Sequence, residues 1–151
     1  MKVLIASDHA GLELKNKLVE ALKTTSAIEV QDFGPQNADS VDYPDFANLV
    51  CKNLITESDQ TNLKEFGILI CGSGQGMALR ANKFQHIRAA LVYSDEITQL
   101  SREHNNANII CIGSRYCDFE TALRWVNLFK ETTFAQGRHQ TRVAKACSPT
   151  A

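Results

Sequence analysis

The sequence lacks the features that mark several large classes of protein. Its five cysteines, Cys51, Cys71, Cys111, Cys117 and Cys147, are odd in number and form no C-x-x-C pair, which argues against a disulfide framework or a zinc knuckle. They read as reduced thiols. No excess of charge is present either: 16 Lys and Arg against 17 Asp and Glu leave −1, without the basic surplus of a general phosphate-backbone binder, so nucleic acid is not expected as a partner. Long apolar runs are missing. The opening "MKVLIASDHAG" meets charge and glycine too soon for a signal-peptide core or a membrane span, and a soluble, cytoplasmic protein is expected. There is no internal repeat, low-complexity tract or linker. A chain of 151 residues, 44% of them apolar, can bury one good core but not two, so a single domain over 1–151 is expected.

What is present is an alternation. Five short apolar runs recur, "KVLIAS" (2–7), "IEVQDFG" (28–34), "GILICG" (67–72), "RAALVY" (88–93) and "NIICIG" (108–113), most of them nearly continuous in V, I, L, A and C. That is the pattern of strands buried on both faces. Between them lie stripes at helical spacing: Leu14, Leu18 and Leu22; Phe46, Val50 and Leu54; Phe119, Leu123 and Val126. Pro44 suits a first helical turn and Asp118 an N-cap. "TESDQTNLKEF" reads as a helix end and loop, and "GRHQTRVAKACSPTA" as a short helical tail. Alternating strands and helices with short connections predict a three-layer α/β domain of Rossmann or flavodoxin type, with a five-stranded parallel sheet. In such a sheet ligands bind beyond the carboxyl ends of the strands, where the strand order reverses. The segments that follow the strands, "SDHAG", "DFGP", "CGSGQGM", "YSDE" and "GSRY", are rich in polar residues and glycine.

The third of these segments carries the chemistry. Gly72, Gly74 and Gly76 remove side chains where a strand would pass into a helix, so backbone N–H groups can approach an oxyanion or phosphate. A tight turn alone would also use these glycines. Cys71 adds a second signal, because a thiol before a helix N-terminus is favoured as thiolate by the dipole and the pointing N–H groups. Familiar phosphate loops do not fit. A P-loop would need glycine where Met77 stands, and a dinucleotide fingerprint would follow the first strand with a different glycine spacing. A cysteine phosphatase would need arginine at Met77, and Arg80 falls three residues late.

Eight segments in one order, "SDHAG" (7–11), "DYP" (42–44), "CGSGQGM" (71–77), "ANKF" (81–84), "IRAAL" (87–91), "HNNAN" (104–108), "GSR" (113–115) and "GRHQTRV" (137–143), resemble the type B ribose-5-phosphate isomerases nearly end to end. The resemblance implies interconversion of ribose 5-phosphate and ribulose 5-phosphate, in the non-oxidative pentose phosphate branch, without metal or organic cofactor. It also implies a homodimer or dimer of dimers with sites shared between subunits, the tail from about 132 packing on the partner. Such chemistry needs a base for the C2 proton, donors for an enediolate, a ring-opening group and a phosphate grip. By resemblance Cys71 is the base. Some relatives carry an acidic residue at the position of Met77, and methionine cannot replace it, which assigns this chain to the cysteine type.

By the same resemblance Ser73 and the amides around Gly72, Gly74 and Gly76 hold the C1 and C2 oxygens. His104 opens the ring and Asn105 contacts substrate oxygens. Asp8 and Tyr43 line the sugar pocket, His9 lies near the phosphate, and Arg115, Arg138 and Arg142 grip it, with His139 a further member. Each has a plainer reading. Ser73 can cap its turn, Asp8 a helix, and His104, on the face of Ile97 and Leu100, can be a core or capping group. Tyr43 can be an ordinary half-buried tyrosine, and Arg138 and Arg142, four apart and therefore on one helical face, can be solvated. The nearest alternative function is an allose-6-phosphate or galactose-6-phosphate isomerase of the same superfamily. More distant ones are a thiol phosphatase and a non-catalytic sugar-phosphate binding module.

Overall fold

The apolar runs become five strands: β1 (Lys2–Ser7), β2 (Glu29–Asp32), β3 (Glu65–Cys71), β4 (Ala89–Leu91) and β5 (Ile109–Gly113). The computed structural model describes residues 1–55 and 61–148. Of the stretch expected to be a helix end and loop, residues 56–60 lie outside the described residues, while Glu65 and Phe66 already belong to β3. All strand pairs are parallel, in the order β2-β1-β3-β5-β4. The last two strands thus exchange places relative to their sequence order. Burial explains the exchange: every residue of β5 is buried, whereas the three residues of β4 are only half-buried, so the short strand takes the edge.

Six α-helices are described: α1 (Leu12–Lys23), α2 (Tyr43–Asn53), α3 (Gln75–Ala81), α4 (Asp95–Glu103), α5 (Phe119–Glu131) and α6 (Arg138–Ala146). Side chains alternate across the sheet, as strand geometry requires. Val3, Ile5, Phe66, Ile68, Ile70, Ile110 and Ile112 pack on one face with α1 and α5. Leu4, Ala6, Leu69, Cys71, Ile109 and Cys111 pack on the other with α2 and α3. The expected caps are present: Pro44 lies in the first turn of α2, and Asp118 Oδ1 accepts the Thr121 N–H at 2.8 Å. The inward stripe of α5 differs from the expected one. Ala122, Trp125, Val126 and Phe129 are buried, while Phe119 and Leu123 flank that face half-buried, because the stripe drifts around a helix of 3.6 residues per turn.

One buried ion pair supports the sheet's β2 edge. Lys15 on α1 is fully enclosed, with Nζ 2.6 Å from Asp32 Oδ2, and Asp32 Oδ1 accepts the Gly34 N–H at 2.8 Å. Asp32→Asn is expected to cost about 3 kcal/mol, because it leaves a buried ammonium without its carboxylate. Lys15→Met should cost less, since Asp32 retains partial access to water. Urea unfolding of both variants checks this; a Lys15→Met loss larger than the Asp32→Asn loss would refute it.

Candidate active site

The strand order reverses between β1 and β3, and the thiol stands at that crevice. Cys71 ends β3 facing the α2 and α3 layer, and it is 5% exposed. Its Sγ accepts the Gly74 N–H at 3.1 Å. Gly74 holds φ at +76°, and a Cβ there would come within 2.6 Å of Leu91 Cδ1, so both the turn and the room beneath it require glycine. The opening amides of α3 have no partner within the helix and face the same crevice. Met77 is wholly buried in the cluster that contains Cys71, and so it is a core residue.

The loops after β1, β3 and β5 are tied together around this thiol. Asp8 N–H donates to Ile70 O at 3.0 Å, Ser114 N–H to Cys71 O at 2.9 Å, and Ser114 Oγ to Ala10 O at 2.9 Å. Arg115 follows β5 and lays its guanidinium over Gly72, where a Cβ would stand 3.1 Å from Cζ. Tyr43, at the start of α2, lies against Gly76 in the same way, 2.7 Å from where a Cβ would be. His9 is exposed, with Nδ1 accepting the Val41 N–H at 3.3 Å, so the neutral ring carries its proton on the outward Nε2.

At this crevice two of the plainer readings are realised in part. Asp8 Oδ1 accepts the Gly11 N–H at 3.0 Å and caps a short turn, and Ser73 Oγ accepts the Gln75 N–H at 3.3 Å. Both residues still lie at the crevice mouth, Asp8 mostly buried and Ser73 exposed.

The remaining candidates are elsewhere. In a parallel sheet each crossover helix starts at the carboxyl edge and ends at the amino edge. His104 caps the C-terminus of α4 just before β5, so it lies at the amino edge, across the sheet from Cys71. The five residues of β5 set that separation at roughly 15 Å. α6 is there too: Ala135 N–H donates to Glu103 O at 3.0 Å, and the His104 and His139 rings stack with centroids 4.2 Å apart and planes 5° from parallel. Partial burial, and then the neighbouring His104, Arg138 and Arg142, hold His139 below the ordinary imidazole range. A neutral His139 can stack on His104 without placing two charges face to face. Arg138 and Arg142 flank His139 on α6 and are exposed, and a groove of about 870 Å³ lined by Asn105 and Arg142 runs between α6 and the segment 82–90.

The candidate residues therefore form two groups within one chain. Asp8, His9, Tyr43, Cys71, Gly72, Ser73, Gly74, Gly76 and Arg115 share the carboxyl edge; His104, Asn105, Arg138, His139 and Arg142 share the amino edge. The arginines expected together are divided between them.

Three of the other thiols are unsuited to proton transfer. Burial pushes Cys51 up to about 12 and Cys111 well above the usual thiol range, and it raises Cys117 as well. Among the described residues no three His, Cys, Asp or Glu side chains cluster as a metal would require, and no helix is long and apolar enough to cross a membrane. Sequence reading missed Lys15 and Arg102, both fully buried. The letters around Arg102 carry no sign of this, since the face of α4 that it shares with buried Thr98 and Ser101 is polar.

An open parallel α/β domain with a thiol at its switch point, glycines exposing amides beside it, and an arginine and an imidazole at the same edge is of the class built to handle small phosphorylated carbonyl compounds. Residues 3–146 match the model of the Ribose/Galactose Isomerase family, and the chain belongs to that family. It is 44% identical over 144 residues to a probable ribose-5-phosphate isomerase B of Mycoplasma genitalium, covering 95% of this chain and 91% of that one. It is 37% identical over 142 residues to the ribose-5-phosphate isomerase B of Escherichia coli, covering 94% and 91%. Among solved structures, the Mycoplasma genitalium ribose-5-phosphate isomerase B with bound ribulose-5-phosphate superimposes with a TM-score of 0.88 at 42% identity, over 97% of this chain and 93% of that one. The ribose 5-phosphate isomerase from Thermotoga maritima gives 0.87 at 43% identity, over 96% of both chains.

Proposed function

We propose that this protein interconverts ribose 5-phosphate and ribulose 5-phosphate in the cytoplasm, as a homodimer or dimer of dimers, using Cys71 as the base. The observation that carries the reading is a thiol under the Gly74 N–H, at the switch point of a chain that matches ribose-5-phosphate isomerases B over nearly its whole length. His104 protonates the ring oxygen of the bound furanose as its bond to C1 breaks, and the C1 hydroxyl gives its proton to solvent, leaving the open aldehyde. Cys71 then takes the C2 proton; the electron pair forms the C1–C2 double bond and the carbonyl pair moves onto O1. The loop amides and Ser73 meet the charge on O1 and O2. The proton returned to C1, with transfer of the O2 proton to O1, leaves the ketone at C2. The Gly74 N–H donated to sulfur is a contact that a thiolate strengthens.

His104 of the same chain does not reach this thiol. A five-carbon chain with its phosphate spans about 8 Å at ordinary bond lengths, roughly half the distance between the two groups of residues. The reading therefore takes Cys71, Asp8, Tyr43, His9 and Arg115 from one subunit and His104, Asn105, Arg138 and Arg142 from another, with the tail from about 132 at the subunit boundary.

The test is turnover by the purified protein of ribose 5-phosphate, with allose 6-phosphate as comparison, before and after treatment with a chelator. Conversion of the pentose that survives chelation is expected. Preference for the hexose would reassign the substrate, and no turnover of either sugar by folded protein would leave a binding module.

A further inference from the structure

Arg102, on α4, is wholly buried, and among the described residues no carboxylate pairs with it. Enclosing a guanidinium without a counter-charge is costly, so what offsets it is informative. Nη1 donates to Asn106 Oδ1 at 2.8 Å and to Ala107 O at 2.5 Å, Nε donates to Thr132 O at 3.3 Å, and the group lies 5.6 Å from the centre of the Phe129 ring. Nη2 is buried without a partner. Burial first, then the charge of Arg88, lowers its pKa to about 10, which leaves it protonated at neutral pH.

These partners belong to two segments with different duties. Asn106 and Ala107 form the turn that carries His104 and Asn105, and Asn106 holds φ at +49° there. Phe129 and Thr132 are the end of α5, from which residues 133–137 lead to α6 and its arginines. α6 buries none of its own residues, so its position depends on that connection, which buried Phe134 and the Ala135–Glu103 and Gln136–Thr61 hydrogen bonds also anchor, and on the His104–His139 contact.

We infer that Arg102 is a positioning residue that holds the ring-opening His104 and the phosphate-gripping arginines of α6 in one register, as a prebuilt half-site offered to the neighbouring subunit. This rests on the isomerase reading above. A planar fork serves both segments at once; a lysine ammonium, a single point donor, serves one at a time.

The test compares Arg102→Lys with Asn106→Gly, which permits the left-handed turn but removes one of the guanidinium's acceptors. Steady-state kinetics are run far below the melting temperature of each variant, alongside the nuclear Overhauser contact between the His104 and His139 rings. For Arg102→Lys we expect kcat/KM to fall about a hundredfold, the scale of an ångström-sized misplacement, shared between a lower kcat and a higher KM. The ring contact should be lost or weakened, and Asn106→Gly should follow in the same direction with a smaller loss. A merely structural role would reduce the active fraction and leave KM unchanged. Unchanged KM together with an intact ring contact in both variants would overturn the inference. If the wild type turns over no ribose 5-phosphate, the isomerase reading falls, and the ring contact alone still decides whether Arg102 holds the two segments together.

Discussion

Cys71→Ala is expected to lower ribose 5-phosphate turnover about a thousandfold, within the range that a positioned general base contributes. The proposed base is the thiol that the sheet delivers beneath the glycine loop, with Sγ held 3.1 Å from the Gly74 nitrogen. Met77, beside it, is a buried thioether without an acidic proton. Alanine removes one nearly buried sulfur from the cluster on the α2 and α3 face, so circular dichroism and gel filtration of the variant should match the wild type. The KM should change little, because the proposed reading assigns the phosphate and hydroxyl contacts to other side chains. Activity of Cys71→Ala within a few fold of wild type would remove Cys71 as the base and point to a different acceptor at the crevice.

A mixture of two inactive variants is expected to recover activity. Cys71→Ala and His104→Asn each damage one of the two groups of residues, and the groups lie on opposite edges of the sheet. When the thiol of one subunit works with the imidazole of another, a hybrid dimer carries one site with both lesions and one site with neither. Statistical exchange of subunits then restores about a quarter of wild-type activity, because half the dimers are hybrids and half their sites are intact. A site contained within one chain would give no recovery at any mixing ratio. The experiment needs no structure of the assembly, and its outcome separates the two arrangements by a large factor.

Much of the domain was legible because the signals are local. "GILIC" and "NIICIG" are apolar on both faces, so they had to be interior strands, and they are β3 and β5. Asp118 and Pro44 marked helix starts by their own backbone chemistry. Cys71 with its alternate glycines marked the switch-point crevice, because glycine at φ +76° serves a backbone turn that its neighbours in sequence create. The position of β4 at the edge was not legible, since "RAALVY" is as apolar as its neighbours and only the pairing shows which strand takes the centre. Nor were Lys15 and Arg102, whose burial depends on Asp32, Ala107 and Thr132, residues 5 to 30 positions away in the chain.

The amino-acid sequence by itself determined the class of domain, the thiol and its glycine loop, and the family resemblance, because periodicity, turn chemistry and motif order are properties of short segments. Only the tertiary structure decided that Cys71 and His104 stand on opposite edges of one sheet. The direction in which α4 runs after β4, and the register that joins β5 to β3, set that separation. Neither is written in the letters around either residue, since both follow from how distant strands pair and how each crossover returns.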